Sequence, residues 1–78
     1  MKVILKLYGP LRDKLPREMR GRTEYELPEG VVVKEILAKV DIEWEDVLWA
    51  VNNEHELSAD RILSDGDELS VFTHVAGG

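Results

Sequence analysis

One stretch of this 78-residue chain carries the unbroken apolar repeat of an amphipathic helix. From Val33 the apolar positions fall at Val33, Ile36, Leu37 and Val40, the i, i+3, i+4, i+7 set, with Lys34, Glu35 and Lys39 on the wet side. A helix with a single apolar stripe has to bury that stripe against another element. The other periodic segments alternate every second residue, so the partner is a sheet.

Four segments read as strands. In Lys2 to Tyr8, Val3, Leu5 and Leu7 alternate against Lys2, Ile4, Lys6 and Tyr8, and Gly9-Pro10 ends the pattern. Leu11 to Arg20 carries apolar residues at Leu11, Leu15 and Met19, but Pro16 forbids a continuous helix, so a helical turn and a surface excursion are expected. Arg22 to Leu27 alternates again and stops at Pro28-Glu29-Gly30. Asp41 to Asp46 is an acidic turn, Val47 to Val51 a third strand, and Asn52-Asn53 suit left-handed turn geometry. Ser58 to Leu63 reads as a helical turn capped by Ser58, and Asp65-Gly66 as a turn before a last strand from Glu68 to Val75. The expectation is an α+β domain over residues 1–78, one helix covering one face of a small mixed sheet.

A chain of this length buries only about 60% of its unfolded surface, enough for one core and too little for a deep catalytic cleft. Its 44% hydrophobic and 33% charged residues are those of a globular domain. The net charge of −6, with no dense run of Lys or Arg, argues against nucleic acid and anionic membranes as partners. The absence of cysteine excludes disulfides, thiolate metal sites and a cysteine nucleophile. Met1 to Ile4 runs into a strand pattern without the basic, apolar, small-residue order of an export leader, and no apolar run approaches about 20 residues, so the expected location is the cytoplasm.

After the last strand come Ala76, Gly77 and Gly78. At about 7% glycine usage, a chain closes on a Gly-Gly pair by chance about 0.5% of the time. A tail with almost no side chain is suited to threading a narrow channel and presenting its terminal carboxylate to another protein. A free carboxylate is a poor electrophile, and the chain has no phosphate-cradling glycine loop. Activation would therefore fall to a partner that spends ATP, and the chain would not be catalytic alone.

Asp65-Gly66-Asp67-Glu68-Leu69, an alternating strand and then Val75-Ala76-Gly77-Gly78 resemble the C-terminal signature of the ubiquitin-like sulfur carriers, the MoaD and ThiS proteins. Val51-Asn52-Asn53 and Pro28-Glu29-Gly30 extend the resemblance through nearly the whole chain. The stretch from Gly9 to Arg22 is similar to MoaD, whereas ThiS proteins turn almost directly into the second strand. Thr73-His74 stands where many MoaD proteins have a proline-containing segment. The resemblance implies a β-grasp fold and a cycle in which a ubiquitin-activating-type adenylyltransferase, similar to MoeB or ThiF, adenylates Gly78 for conversion to a thiocarboxylate. It further implies insertion of the tail into a MoaE-like large subunit of molybdopterin synthase, with Gly78 the covalent carrier, Gly77 and Ala76 its approach, and no cofactor bound by the chain itself. Two alternatives stay open: a ThiS-like carrier for thiamine thiazole synthesis, and a ubiquitin-like modifier whose activated Gly78 is attacked by a lysine amine.

A carrier handled by several partners needs a contact surface. By alternation Ile4 and Phe72 fall on the non-core side of the sheet, with Leu48 or Ala50 joining from the third strand and His74 beside the tail. His55 and His74 have no carboxylate and cysteine set at ligand spacing, so no metal site is expected. Glu43, Glu45, Asp46, Asp65 and Asp67 read as solvated turn residues rather than acid–base pairs. Trp49 is assigned to the core and Trp44 is left unassigned.

Overall fold

The structure, a computed structural model, describes residues 1–74. Five strands, β1 (Lys2–Leu7), β2 (Arg22–Glu26), β3 (Val47–Val51), β4 (Glu54–Glu56) and β5 (Glu68–Thr73), form one sheet in the order β2-β1-β5-β3-β4. β1 and β5 run parallel; the other neighbouring pairs are antiparallel. This is the mixed β-grasp arrangement expected from the sequence. β5, the last strand among the described residues, lies at the centre of the sheet.

The alternation places Val3, Leu5 and Leu7 of β1, Leu69 and Val71 of β5, and Val47, Trp49 and Val51 of β3 on the covered face. The helix α1 (Val33–Lys39) buries Val33, Ile36 and Leu37 among them without exposure. Each such aliphatic side chain removed from water contributes about 1.5–3 kcal/mol. Seven residues are too few to hold a helix in water unaided, so this packing is what keeps α1 folded.

The β-branched start of α1 is explained by the segment that follows β4. Val33 N–H donates to the Arg61 carbonyl (3.1 Å) and Lys34 N–H to that of Ala59 (3.0 Å), satisfying donors that a helix start leaves free. The Glu35 carboxylate accepts from Val32 N–H at 3.1 Å. Val32 pairs with Ile62 in an antiparallel bridge, which suits a β-branched residue better than a helical turn would.

Three expectations are corrected here. β4 was not expected, because Glu54-His55-Glu56 has no apolar alternation; it is the return arm of a two-residue hairpin through Asn52 (φ 51°) and Asn53 (φ 68°), both left-handed as a right-twisting hairpin requires. Residues 58–63 form a turn instead of a helix: Ser58 Oγ accepts from Asp60 N–H at 3.2 Å, and the chain then extends into the Val32 bridge. Asp67 is not solvated but 8% exposed, for reasons given below.

Between β1 and β2 the chain makes short 3-10 turns at Gly9–Lys14 and Arg17–Met19, separated by Pro16. This excursion docks on Gly21, whose carbonyl accepts from Leu7 N–H at 2.7 Å. Gly21 has φ +74°, and a Cβ there would lie 2.7 Å from the Leu7 carbonyl oxygen and 2.8 Å from Arg12 Cγ. Only glycine fits.

Candidate functional site

Because β1 and β5 are parallel, the segment after β1 and the segment after β5 leave the sheet at the same end. Tyr8 N–H donates to the Val71 carbonyl at 3.1 Å, fastening the end of β1 beside β5. The Tyr8 ring stacks on Phe72, with centroids 4.9 Å apart and planes 12° apart. On the other side of β5, Phe72 pairs directly with Leu48 of β3. Tyr8 is 44% and Leu48 38% exposed, and Phe72 is half-buried between them. The three side chains make an apolar platform on the open face of the sheet, where β5 delivers the chain to residue 74.

Next along β5 is Ser70, opposite Ala50 and Lys6, and then Glu68, opposite Ile4. Lys6 Nζ contacts the Glu68 carboxylate at 2.7 Å. The hydrogen bond and charge of that ammonium hold the Glu68 carboxyl below its ordinary range, with Arg22 adding a smaller effect of the same sign.

Of the residues the sequence assigned to a contact surface, Leu48 and Phe72 are neighbours at the exit of β5. Ile4 is half-buried on the same face but opposite Glu68, four residues down β5 from Phe72, about 13 Å along the strand. Ala50 also points to this face, yet it is only 7% exposed, because longer side chains around it overtop its methyl group. The apolar surface is thus narrower and nearer the exit than alternation alone implied. His74 is exposed immediately after β5. Ala76, Gly77 and Gly78 lie outside the described residues. Tyr8 is the residue that sequence reasoning missed: alternation put it on the open face, but only the parallel register of β1 and β5 brings it against Phe72.

The opposite end of the sheet holds a polar clasp. Asp67 accepts from Asn52 Nδ2 (2.8 Å) and from Ser64 N–H (2.7 Å), and Asn52 Oδ1 accepts from Glu68 N–H (2.9 Å). Asp65 accepts from Lys2 N–H at 2.6 Å. With every carboxylate oxygen of Asp67 engaged, its burial is compensated. These residues join the turn before β5 to the start of β1 and the end of β3. Among the described residues no group of three His, Asp or Glu could hold a metal ion, and no helix is long and apolar enough to cross a membrane.

Comparison with known proteins agrees with this arrangement. The model of the ThiS family matches residues 5–78. The chain belongs to the ThiS family. Among solved structures, this family member is similar to a putative molybdopterin converting factor subunit 1 from Pyrococcus furiosus, at 29% identity and a TM-score of 0.74 over 96% of this chain and 99% of that one. It shares its fold with a protein in a complex of subunits 1 and 2 of molybdopterin-converting factor from Helicobacter pylori (22% identity, TM-score 0.68, all of both chains). The same holds for small archaeal modifier protein 1 from Haloferax volcanii (17% identity, TM-score 0.74, 95% of this chain and 98% of that one). A search of curated protein sequences finds no match.

Proposed function

We propose that this ThiS-family chain is a sulfur carrier that works in the cytoplasm as the small subunit of a molybdopterin synthase. The observation that carries the reading is the position of β5: the central strand runs out beside an apolar platform and ends within a few residues of Gly77-Gly78. The similarity to the putative molybdopterin converting factor subunit 1, over nearly the whole of both chains, supports the molybdopterin branch of the family over the thiazole branch.

In this reading a carboxylate oxygen of Gly78 attacks the α-phosphorus of ATP on an activating partner, and pyrophosphate leaves. Hydrosulfide supplied by the partner system then attacks the acyl carbon, AMP leaves, and loss of the sulfur-bound proton gives the thiocarboxylate. Tyr8, Phe72 and Leu48 dock the carrier, first on the activating partner and then on the large synthase subunit, while the glycines reach the reacting centre. The chain contributes binding and presentation; the partners contribute catalysis.

The intact mass of the protein from its own cells tests this. A gain of about 16 Da, one oxygen replaced by sulfur, is expected, and it disappears in a variant lacking Gly77 and Gly78. No gain in the presence of a working activating enzyme and ATP would sink the carrier reading. A second reading, protein modifier, is supported by the shared fold with small archaeal modifier protein 1. It requires isopeptide adducts ending in Gly78 on lysines of other proteins.

A further inference from the structure

The excursion between β1 and β2 has a charge unlike the rest of the molecule. Residues 9–22 hold five of the ten basic side chains, Arg12, Lys14, Arg17, Arg20 and Arg22, against Asp13 and Glu18. That segment carries +3, so the remainder of a chain with net charge −6 carries −9. The three ion pairs among the described residues use Lys6, Lys34 and Arg61, and none of these five. Arg12, Arg17 and Arg20 line one open groove of about 590 Å³, with Asp13 the acidic group on its wall. The groove begins at Gly9, next to Tyr8, so it adjoins the aromatic platform at the end of the sheet where β5 finishes.

We infer that this basic lobe is the charged rim of the carrier's docking surface, and that it receives a cluster of carboxylates on the protein that activates the tail. The inference rests on the carrier reading for the identity of that partner. Guanidinium forks match carboxylates two bonds at a time, and an apolar centre flanked by charge is how protein interfaces combine affinity with orientation. A free small anion is a poorer occupant, since the arginines are exposed and the groove has no buried polar side chain to close over it. A nucleic acid is poorer still, since a polyanion long enough to fill the groove meets the −9 of the remaining surface. A folded partner presenting carboxylates only where the lobe meets it avoids both costs. Opposite charges at the rim raise the encounter rate more than they slow dissociation, and salt screens them over about 10 Å at 0.1 M.

The test is the association rate of the full-length carrier with the adenylating enzyme of its own cells, measured from low to 0.5 M salt, for the wild type and the R17E/R20E variant. Arg12 is left in place because its stem packs over Gly21. Wild-type association should fall steeply with salt, and the variant should associate about tenfold more slowly at low salt and converge with the wild type at high salt. Equal rates and equal salt dependence overturn the inference, as does wild-type binding that ignores salt. R17Q/R20Q, expected to lie between the two, guards against a folding defect, which thermal melting of each variant reads directly. If a short oligonucleotide displaces the enzyme at an ionic strength where chloride or inorganic phosphate does not, the lobe is a nucleic-acid site and the inference fails. The mass gain at Gly78 in the same mixtures reports on the carrier reading separately: salt-dependent association without it removes that reading and leaves the rim intact.

Discussion

Where β1 and β5 begin, Asp65, Asp67 and Asn52 find their hydrogen-bond partners inside the chain; where the same strands end, aromatic rings and guanidinium groups face outwards with no ion-pair partner among the described residues. Both ends are rich in polar or exposed residues, and composition does not separate them. Satisfaction does. Side chains whose bonding capacity is met internally hold the sheet together, and those whose capacity is unmet are available to a partner. Substitutions at the first end should therefore change stability and leave docking alone, with the reverse at the second.

The largest effect belongs to the clasp. Replacing Asp67 by Ala strips the acceptor from Asn52 Nδ2 and Ser64 N–H, part-buried groups whose bonds are to a charged partner, and should cost about 3 kcal/mol. For a domain of this size that is a fall in Tm of about 15 °C. Calorimetry measures it, and association with the activating enzyme, read well below the new Tm, should be unchanged. An Asp67→Ala protein that melts normally but fails to dock would reverse the assignment of the two ends.

Gly21→Ala comes next, because it affects the joint between the core and the basic lobe. The left-handed backbone and the 2.7 Å approach to the Leu7 carbonyl together make a loss of about 2 kcal/mol the expected result. Gly9→Ala is the control: its φ is also positive, at +59°, but nothing lies within 4 Å of the added Cβ, so about 1 kcal/mol is expected from the backbone alone. Similar melting of the two variants would mean that the excursion does not dock on Gly21.

Phe72→Ala sharpens the other side of the comparison. Loss of the ring that stacks on Tyr8 should weaken association with the activating enzyme about tenfold, while stability falls by about 1 kcal/mol. Ile4→Ala, on the same face but opposite Glu68, should leave association within about twofold of the wild type. Surface binding measurements on the pair decide whether the docking surface is the compact platform or the longer stripe that alternation suggested.

The particular residues show which parts of this molecule a sequence reveals. The core faces were legible because burial on a sheet obeys a period of two and α1 a period near four, and Asn52-Asn53 were legible because few residues accept a positive φ. β4 was not, since Glu54 and Glu56 pair through backbone atoms and leave no side-chain pattern. Asp67 was misread because its burial depends on Asn52, fifteen positions away. The Asp65-Gly66-Asp67 stretch that carries the family resemblance is thus a device of the fold. Tyr8 was hidden for a related reason: a stack across parallel strands is fixed by register, and register is not written in either strand alone.

The smallest effect comes from the row between the two ends, where Lys6 and Glu68 pair at 2.7 Å with both side chains partly exposed. The Glu68 carboxyl is held below its ordinary value by the Lys6 hydrogen bond first and the Lys6 charge second. A carboxyl depressed by folding stabilises the native state fully above its unfolded value, near 4.3, and loses that contribution as pH falls through the native one. Glu56 behaves alike, lowered first by the Ser58 N–H and then by Arg61. Melting between pH 6 and pH 3 should therefore show Tm declining with acid, and Lys6→Gln should remove a small part of that decline without touching the rest. Exposed pairs contribute little at ordinary salt, so the difference should shrink further when salt is added. A Lys6→Gln protein whose acid decline matches that of the wild type would mean that Glu68 is held by partners other than Lys6.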